Sequence, residues 1–504
     1  MFNQNTNSIT LLALLFISVI FSSCKKDRNS ENLVNGPNVN LYALTNDGKL
    51  LWFNAQNPKS ITSQVTISGL QTGDKIVGID FRPATGQLYG LGSNSFVYVI
   101  DPKTGAARAI NSAAFTPALS GTNFGFDFNP TVDRIRVVSS SGQNLRLNPE
   151  NGAVAATDLN IADVPGAKVG SVAYTDNRAG AATTTLFDID ATTDKLYKQI
   201  PPNDGKLMAV GSLGYDVDET GGFDISPDGS AALAALGHNG KSTLFTIDIN
   251  TGKAAKIGEF NQQIIGIAIP TEPVAYAVST NNELLIFNHT SANPTPIVKK
   301  IEGIQTGENI LGLDMRPKNG QLYALGSSSR IYTINASSGV AAVVSGQLST
   351  ALLGAQFGFD FNPVVDRIRI VSNLGQNLRI NPDDAVVAAD GAIVSLTAAI
   401  SGAAYTNNFA GATATVLFDI DALGDRLYKQ DPPNMGTLVD VGPLGINVEN
   451  TNGFDIGGTS GIAYGIFTVG STQRIYSVNL TTGAATQMAA FTTPVRAFTL
   501  GLGF

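Results

Sequence analysis

The sequence predicts an all-β chain made of two tandem copies of one closed, radially repeated unit, on three observations. Charged residues are only 14% of the 504 and glycine contributes 53, a mix that suits strands and tight turns better than helices. A long stretch occurs twice: FGFDFNPTVDRIRVVSSSGQNLRLNPENGAVAA (Phe124–Ala156) returns as FGFDFNPVVDRIRIVSNLGQNLRINPDDAVVAA (Phe357–Ala389). A shorter strand–turn–strand period runs inside each copy, as in GIDFRPATGQLYGLG and FVYVIDPKTGAARAI.

The duplication reaches well beyond the quoted stretch. Leu41–Asn54 matches Ala275–Asn288, Gly69–Ser93 matches Gly303–Ser327, and Thr185–Asn203 matches Val416–Asn434. The halves therefore span 39–270 and 271–504. Within each, Asp-x-x-Thr-Gly or Asn-x-x-Thr-Gly sits between alternating apolar residues. The acidic or amide side chain bonds the turn backbone and Gly takes the positive φ, so each such motif predicts a hairpin. Two hairpins in series give a four-stranded meander of about 45 residues that cannot bury both faces alone. Stacking copies around an axis buries them, and this is a β-propeller. Inner strands are expected near Gly78, Gly125, Ser171 and Gly222. IIGIAIP (Ile264–Pro270) is available to pair with the segment opening at Leu41 and to close the first half, and VRAFTLGLGF (Val495–Phe504) to close the second. Closing a ring this way hides strand edges. The expectation is two five-bladed propellers. The alternative is one ten-bladed ring, with IIGIAIP running through TEP into VAYAV.

The first residues read as targeting. Ile9–Phe21 is apolar and short for a bilayer span, and Ser22-Ser23-Cys24 follows. Small residues before a lone Cys resemble a bacterial lipobox, which implies a signal peptide at 1–23 and lipidation of Cys24. Residues 24–38 are polar and read as a tether. The expected place is the outer membrane, attached by lipid alone. Cys24 is the only cysteine, so neither a disulfide framework nor thiol catalysis is expected. The net charge of −8 argues against nucleic acid.

Three motifs agree in order: GLDxRPxxGQLYxLG, then GFDFNPxxDRIRVVS…GQNLRxNP, then LFDIDxxxDxLYKQxPPN. Together they resemble the uncharacterised bacterial domain of unknown function 4394 family, in two copies covering nearly all of the mature chain. The resemblance implies a secreted or envelope propeller and brings no catalytic residue with it.

The two histidines, His238 and His289, are not repeated between halves, which counts against Ser-His-Asp catalysis and His-ligated zinc. No P-loop or dinucleotide fingerprint is present. Two residue sets remain. Asp80, Asp127, Asp224, Asp314, Asp360 and Asp455 recur at one position of the inner strands. They suit a carboxylate pair of a glycosidase near the axis, an oxygen-rich Ca²⁺ site, or structural clips between blades. Arg134, Arg136, Gln143, Asn144 and Arg146, with Arg367, Arg369, Gln376, Asn377 and Arg379, suit either grip on a carboxylate, phosphate or sugar or pairing with Asp127 or Asp133 between blades. The third Asp motif, FDIDATTD and FDIDALGD, reads as turn chemistry, and the PPN segments as rigid exposed loops. No metal site is assigned. The functional expectation is a monomeric binding module for an envelope glycan or protein partner. The alternative is a glycoside hydrolase using the inner Asp residues.

Overall fold

The computed structural model describes Met1, residues 33–394 and residues 398–504. The expected signal segment and Cys24 lie outside the described residues. The described chain forms ten four-stranded antiparallel sheets. The only helices among the described residues are two three-residue turns, Pro202–Asp204 and Pro433–Met435.

The alternation of apolar residues with polar turns forms these strands as expected. In the turn after Val97–Ile100, Asp101 accepts from the Lys103 N–H and the Thr104 hydroxyl, both at 2.8 Å, and Gly105 takes φ +76°. Asp248, Thr251 and Gly252 repeat the device.

The sheets divide into two rings of five blades. In the first ring the inner strands are Ile76–Phe81, Phe124–Asn129, Val169–Tyr174, Glu219–Ile225 and Ile264–Ala268, called blades 1 to 5. Ile264–Ala268 pairs antiparallel with Asn40–Thr45, Ala43 opposite Ile267. In the second ring, Val495–Leu500 pairs with Ala275–Ser279, Ala277 opposite Phe498. Each half is thus closed by its own last strand, and the ten-bladed alternative is excluded. Neighbouring inner strands touch in an unbroken cycle in both rings. The fold is two tandem five-bladed propellers.

The cores lie between blades. Tyr89, Leu91, Phe126, Phe128 and Val137 fill the space between blades 1 and 2. Val138, Val172, Tyr174 and Tyr197 fill that between blades 2 and 3. Each blade is covered on both faces, so its middle strands are apolar on both sides; Leu88–Gly92 is buried at every position. At the inner-strand glycines the neighbouring strands leave no room for a side chain. A Cβ on Gly358 would lie 2.6 Å from the Ala403 nitrogen.

The rings meet at one end of each propeller, through the turn that follows the inner strand Ile76–Phe81. The Tyr276 hydroxyl donates to the Ala84 carbonyl at 2.8 Å. The Gly503 N–H donates to Thr85 at 2.8 Å, and Phe504 lies against Gly86. Ala84 and Phe504 both join the core around Tyr276 and Leu313, so the contact is part of the packed interior.

Candidate functional site

The inner-strand Asp residues come together. Asp80, Asp127 and Asp224 offer carboxylate oxygens within 4.8 Å of one another, and so do Asp314, Asp360 and Asp455. All six are 1% exposed. The alternation that turns Gly78 towards Phe126 of the next blade turns Asp80 the same way. Asp80 accepts from Phe81 N–H at 2.7 Å and, across the blade gap, from Phe128 N–H at 2.8 Å. Asp127 reaches Tyr174 N–H, and Asp224 reaches Ile269 N–H. In the second ring Asp314 reaches Phe361, Asp360 reaches Tyr405, and Asp455 reaches Leu500. The Thr499 hydroxyl lies 2.9 Å from Asp314 and 2.8 Å from Asp455. The first ring has Ala268 at that position. Burial, then repulsion from their acidic neighbours, pushes Asp80, Asp127, Asp314 and Asp360 well above the usual carboxylate range.

A glycosidase pair needs two accessible carboxyl groups, one to protonate the leaving group and one to attack or to activate water. Six buried groups, each bonded to a neighbouring backbone N–H, do not make such a pair. The hydrolase alternative would need two of them opened to solvent.

The Arg sets occupy the next layer. Arg136 is 2% exposed. It donates to Asn144 at 2.7 Å, Asp158 at 2.6 Å, Asn203 at 2.8 Å and the Tyr174 hydroxyl at 3.3 Å. Arg146 grips Asp158 through two bonds of 2.8 Å. Arg369 and Arg379 repeat this around Asp390. The amides are equally engaged. Asn144 donates to the Leu159 and Pro202 carbonyls, and Asn377 to those of Gly391 and Pro433. Gln143 and Gln376 hold the segment between blades 1 and 2, bonding Ala118 and Ser120, and Ala351 and Leu353. Of the ten residues expected to bind a ligand, Arg136, Asn144, Arg369 and Asn377 are buried, with their polar atoms used between blades. Arg134 and Arg367 stay half-exposed, each donating to the carbonyl just before it.

The expected carboxylate partner also differs. Asp133 pairs with Arg82 of blade 1, and Asp366 with Arg316, in two-bond grips. Asp158 and Asp390, which the sequence reading did not single out, hold the Arg set. Their signal was an acidic residue at nearly the same distance after each GQNLR motif, 12 residues past Arg146 and 11 past Arg379. The PPN segments dock rather than stand free. Asn203 and Asn434 accept from the buried arginines, and the Pro202 and Pro433 carbonyls accept from the asparagines.

In the FDID motifs, Asp190 and Asp194 do serve turns and neighbouring backbone. Asp188 and Asp419 do not. Both are fully buried with neither oxygen hydrogen-bonded. Burial pushes Asp419 up to about 8, against the opposing pull of Arg369.

A narrow pocket lies at each axis beside the inner-strand glycines. Gly78, Gly125, Gly222 and Gly266 line one. Gly312, Gly358, Gly402 and Gly453 line the other. Each has room for about one water.

Against known proteins, the family described as Domain of unknown function (DUF4394) matches residues 49–268 and 283–500. The chain belongs to this family, in two tandem copies. No curated relative matches the chain. Among solved structures it is similar to virginiamycin B lyase from Staphylococcus aureus, at 14% identity over 61% of this chain and 94% of that one, with a TM-score of 0.26. It is also similar to PorZ, a surface component of the type-IX secretion system of Porphyromonas gingivalis, at 13% identity and a TM-score of 0.26. That match covers 90% of this chain and 59% of PorZ. At such scores neither likeness carries an argument. The propeller assignment of this DUF4394 protein rests on its own strand order.

Proposed function

We propose that this DUF4394 protein is a binding module of the bacterial cell envelope, held to the outer membrane by lipid on Cys24 and presenting its propeller ends to a glycan or a protein partner. One observation carries the reading. The duplicated Arg, Asn and Asp side chains that have the means for chemistry are largely spent on bonds between blades. What the molecule offers outward is loops on a rigid frame, the usual arrangement of a recognition surface. Arg134 and Arg367, together with the partly exposed Arg146 and Arg379, are the members of the duplicated motif that reach that surface.

The test is a glycan-array screen of the soluble chain from Lys25 onward beside its Arg134→Ala/Arg367→Ala variant. Glycan binding that the double variant loses supports the reading and puts the site on blade 2 of each ring. If neither glycans nor, in cross-linked envelope preparations, a defined protein partner is retained, the binding-module reading falls.

A further inference from the structure

The axial carboxylates carry more than clips between blades require. Among the described residues the partners of the six are backbone N–H groups and the Thr499 hydroxyl, with no Lys or Arg. Backbone donors on both oxygens of Asp80, Asp224, Asp314 and Asp455 favour the charged form of each. Three carboxyl groups out of water and within 4.8 Å of one another resist ionisation together unless a counter-charge joins them. Crowding alone would not point to a ligand. A second observation does. One oxygen of Asp360 accepts from Tyr405 N–H at 3.0 Å, while the other, Oδ2, is fully enclosed and has no hydrogen-bond partner. An enclosed oxygen without a donor, in a group facing two other carboxylates, is a coordination position left open.

We propose that each propeller holds one calcium ion on its axis, bound by Asp80, Asp127 and Asp224 in the first ring and by Asp314, Asp360 and Asp455 in the second. The donors are all hard oxygens, with no sulfur or imidazole, which selects Ca²⁺ or Mg²⁺ over zinc or copper. Two oxygens bound to one Ca²⁺ at about 2.4 Å stand at most about 4.8 Å apart, whereas Mg²⁺ holds its ligands within about 4.2 Å. Oxygens within 4.8 Å of one another can share one such ion, and calcium's flexible coordination suits donors fixed by three separate blades better than the near-ideal octahedron that magnesium demands. In the second ring the Thr499 hydroxyl adds a neutral oxygen between Asp314 and Asp455. Its single proton serves one of them, leaving the other to the metal. Access is along the axis. The glycine-lined pockets lie two residues before each Asp on the inner strands, about 7 Å away. The same strands lead on past Asp80 and Asp314 to the turns where the rings meet. The mouths therefore open at the ends that face away from that contact.

The experiment is equilibrium dialysis of the full mature chain, stripped with EGTA, against about 1 mM Ca²⁺, near the weak end for extracellular calcium modules, with bound metal counted by mass spectrometry. Two ions per chain are expected, one in Asp360→Asn, one in Asp127→Asn, and none in the double variant. No bound calcium in the wild type overturns the proposal. Binding that both variants retain in full does so too, since the ions then sit elsewhere. Should the variants fail to fold, anomalous diffraction from wild-type crystals soaked in a lanthanide decides. A peak on each axis beside the Asp oxygens is expected, and empty axes reject the site.

Discussion

Asp158→Ala tests whether the duplicated Arg motif is a blade joint. In the wild type, Arg136 meets Asp158 at 2.6 Å, with the two side chains 2% and 6% exposed. Removing one member of such a pair leaves a buried charge alone and typically costs about 3–5 kcal/mol. Asn144, Asn203 and Tyr174 still accept from Arg136, so the lower end, about 3 kcal/mol, is expected. Arg146 loses the same partner, but at 33% exposure its charge returns to water and adds little. For a ring of this size each kcal/mol moves the melting temperature by about 2–4 °C, so the first ring should melt about 6–12 °C lower. Scanning calorimetry of the full chain reads this, with the second ring as internal reference. Asp390→Ala should move the other transition by a similar amount. Asp158→Asn keeps an acceptor and should cost roughly half as much. A shift below about 2 °C for Asp158→Ala, or an equal fall in both transitions, would refute the joint.

Two further expectations follow from buried groups. Asp419 has its folded pKa raised to about 8, above about 3.9 in the unfolded chain. Between those values the native state holds a proton that the unfolded state has released, so stability falls as pH rises from about 4 to 8, at up to about 1.4 kcal/mol per pH unit. Asp419→Asn abolishes this loss, so its advantage in urea unfolding should grow from pH 4 to pH 8 and then level off; parallel curves for variant and wild type would contradict it. Phe504→Ala removes a ring that packs between the propellers against Gly86. For a partly buried side chain the loss is about 1–2 kcal/mol, and it should appear as that loss of stability in urea unfolding of the full chain while each ring stays folded; an unfolding curve identical to the wild type's would show that the docking does not depend on Phe504.

Much of the architecture was legible because it is written locally. A hairpin depends on a few residues around a turn, so Asp101-x-x-Thr104-Gly105 declares itself, and repetition of that pattern counts the blades. The two closing strands were legible as well, since Ile264–Ala268 and Val495–Leu500 are apolar segments left over once complete blades are counted. Which partner Ile264–Ala268 would take was not. Asn40–Thr45 and Ala275–Ser279 present nearly the same apolar alternation, and the choice made one ring or two. That choice is settled by how five twisted sheets stack around an axis, which no local pattern encodes.

The site divides in the same way. Alternation put Asp80 and Arg82 on one strand face and showed that both halves repeat them. It left open what that face meets, because the partners lie far along the chain. Asp80 bonds Phe128, Arg136 bonds Asn203, and Arg82 bonds Asp133. A carboxylate facing solvent and one sealed against the next blade obey the same two-residue period. The sequence by itself determined the duplication, the blade unit and the identity of the repeated polar residues, since these rest on spacing. Ring closure, the burial of those residues and the gathering of three carboxylates at each axis were decided by tertiary structure alone, because each depends on contacts between blades that local preference does not specify.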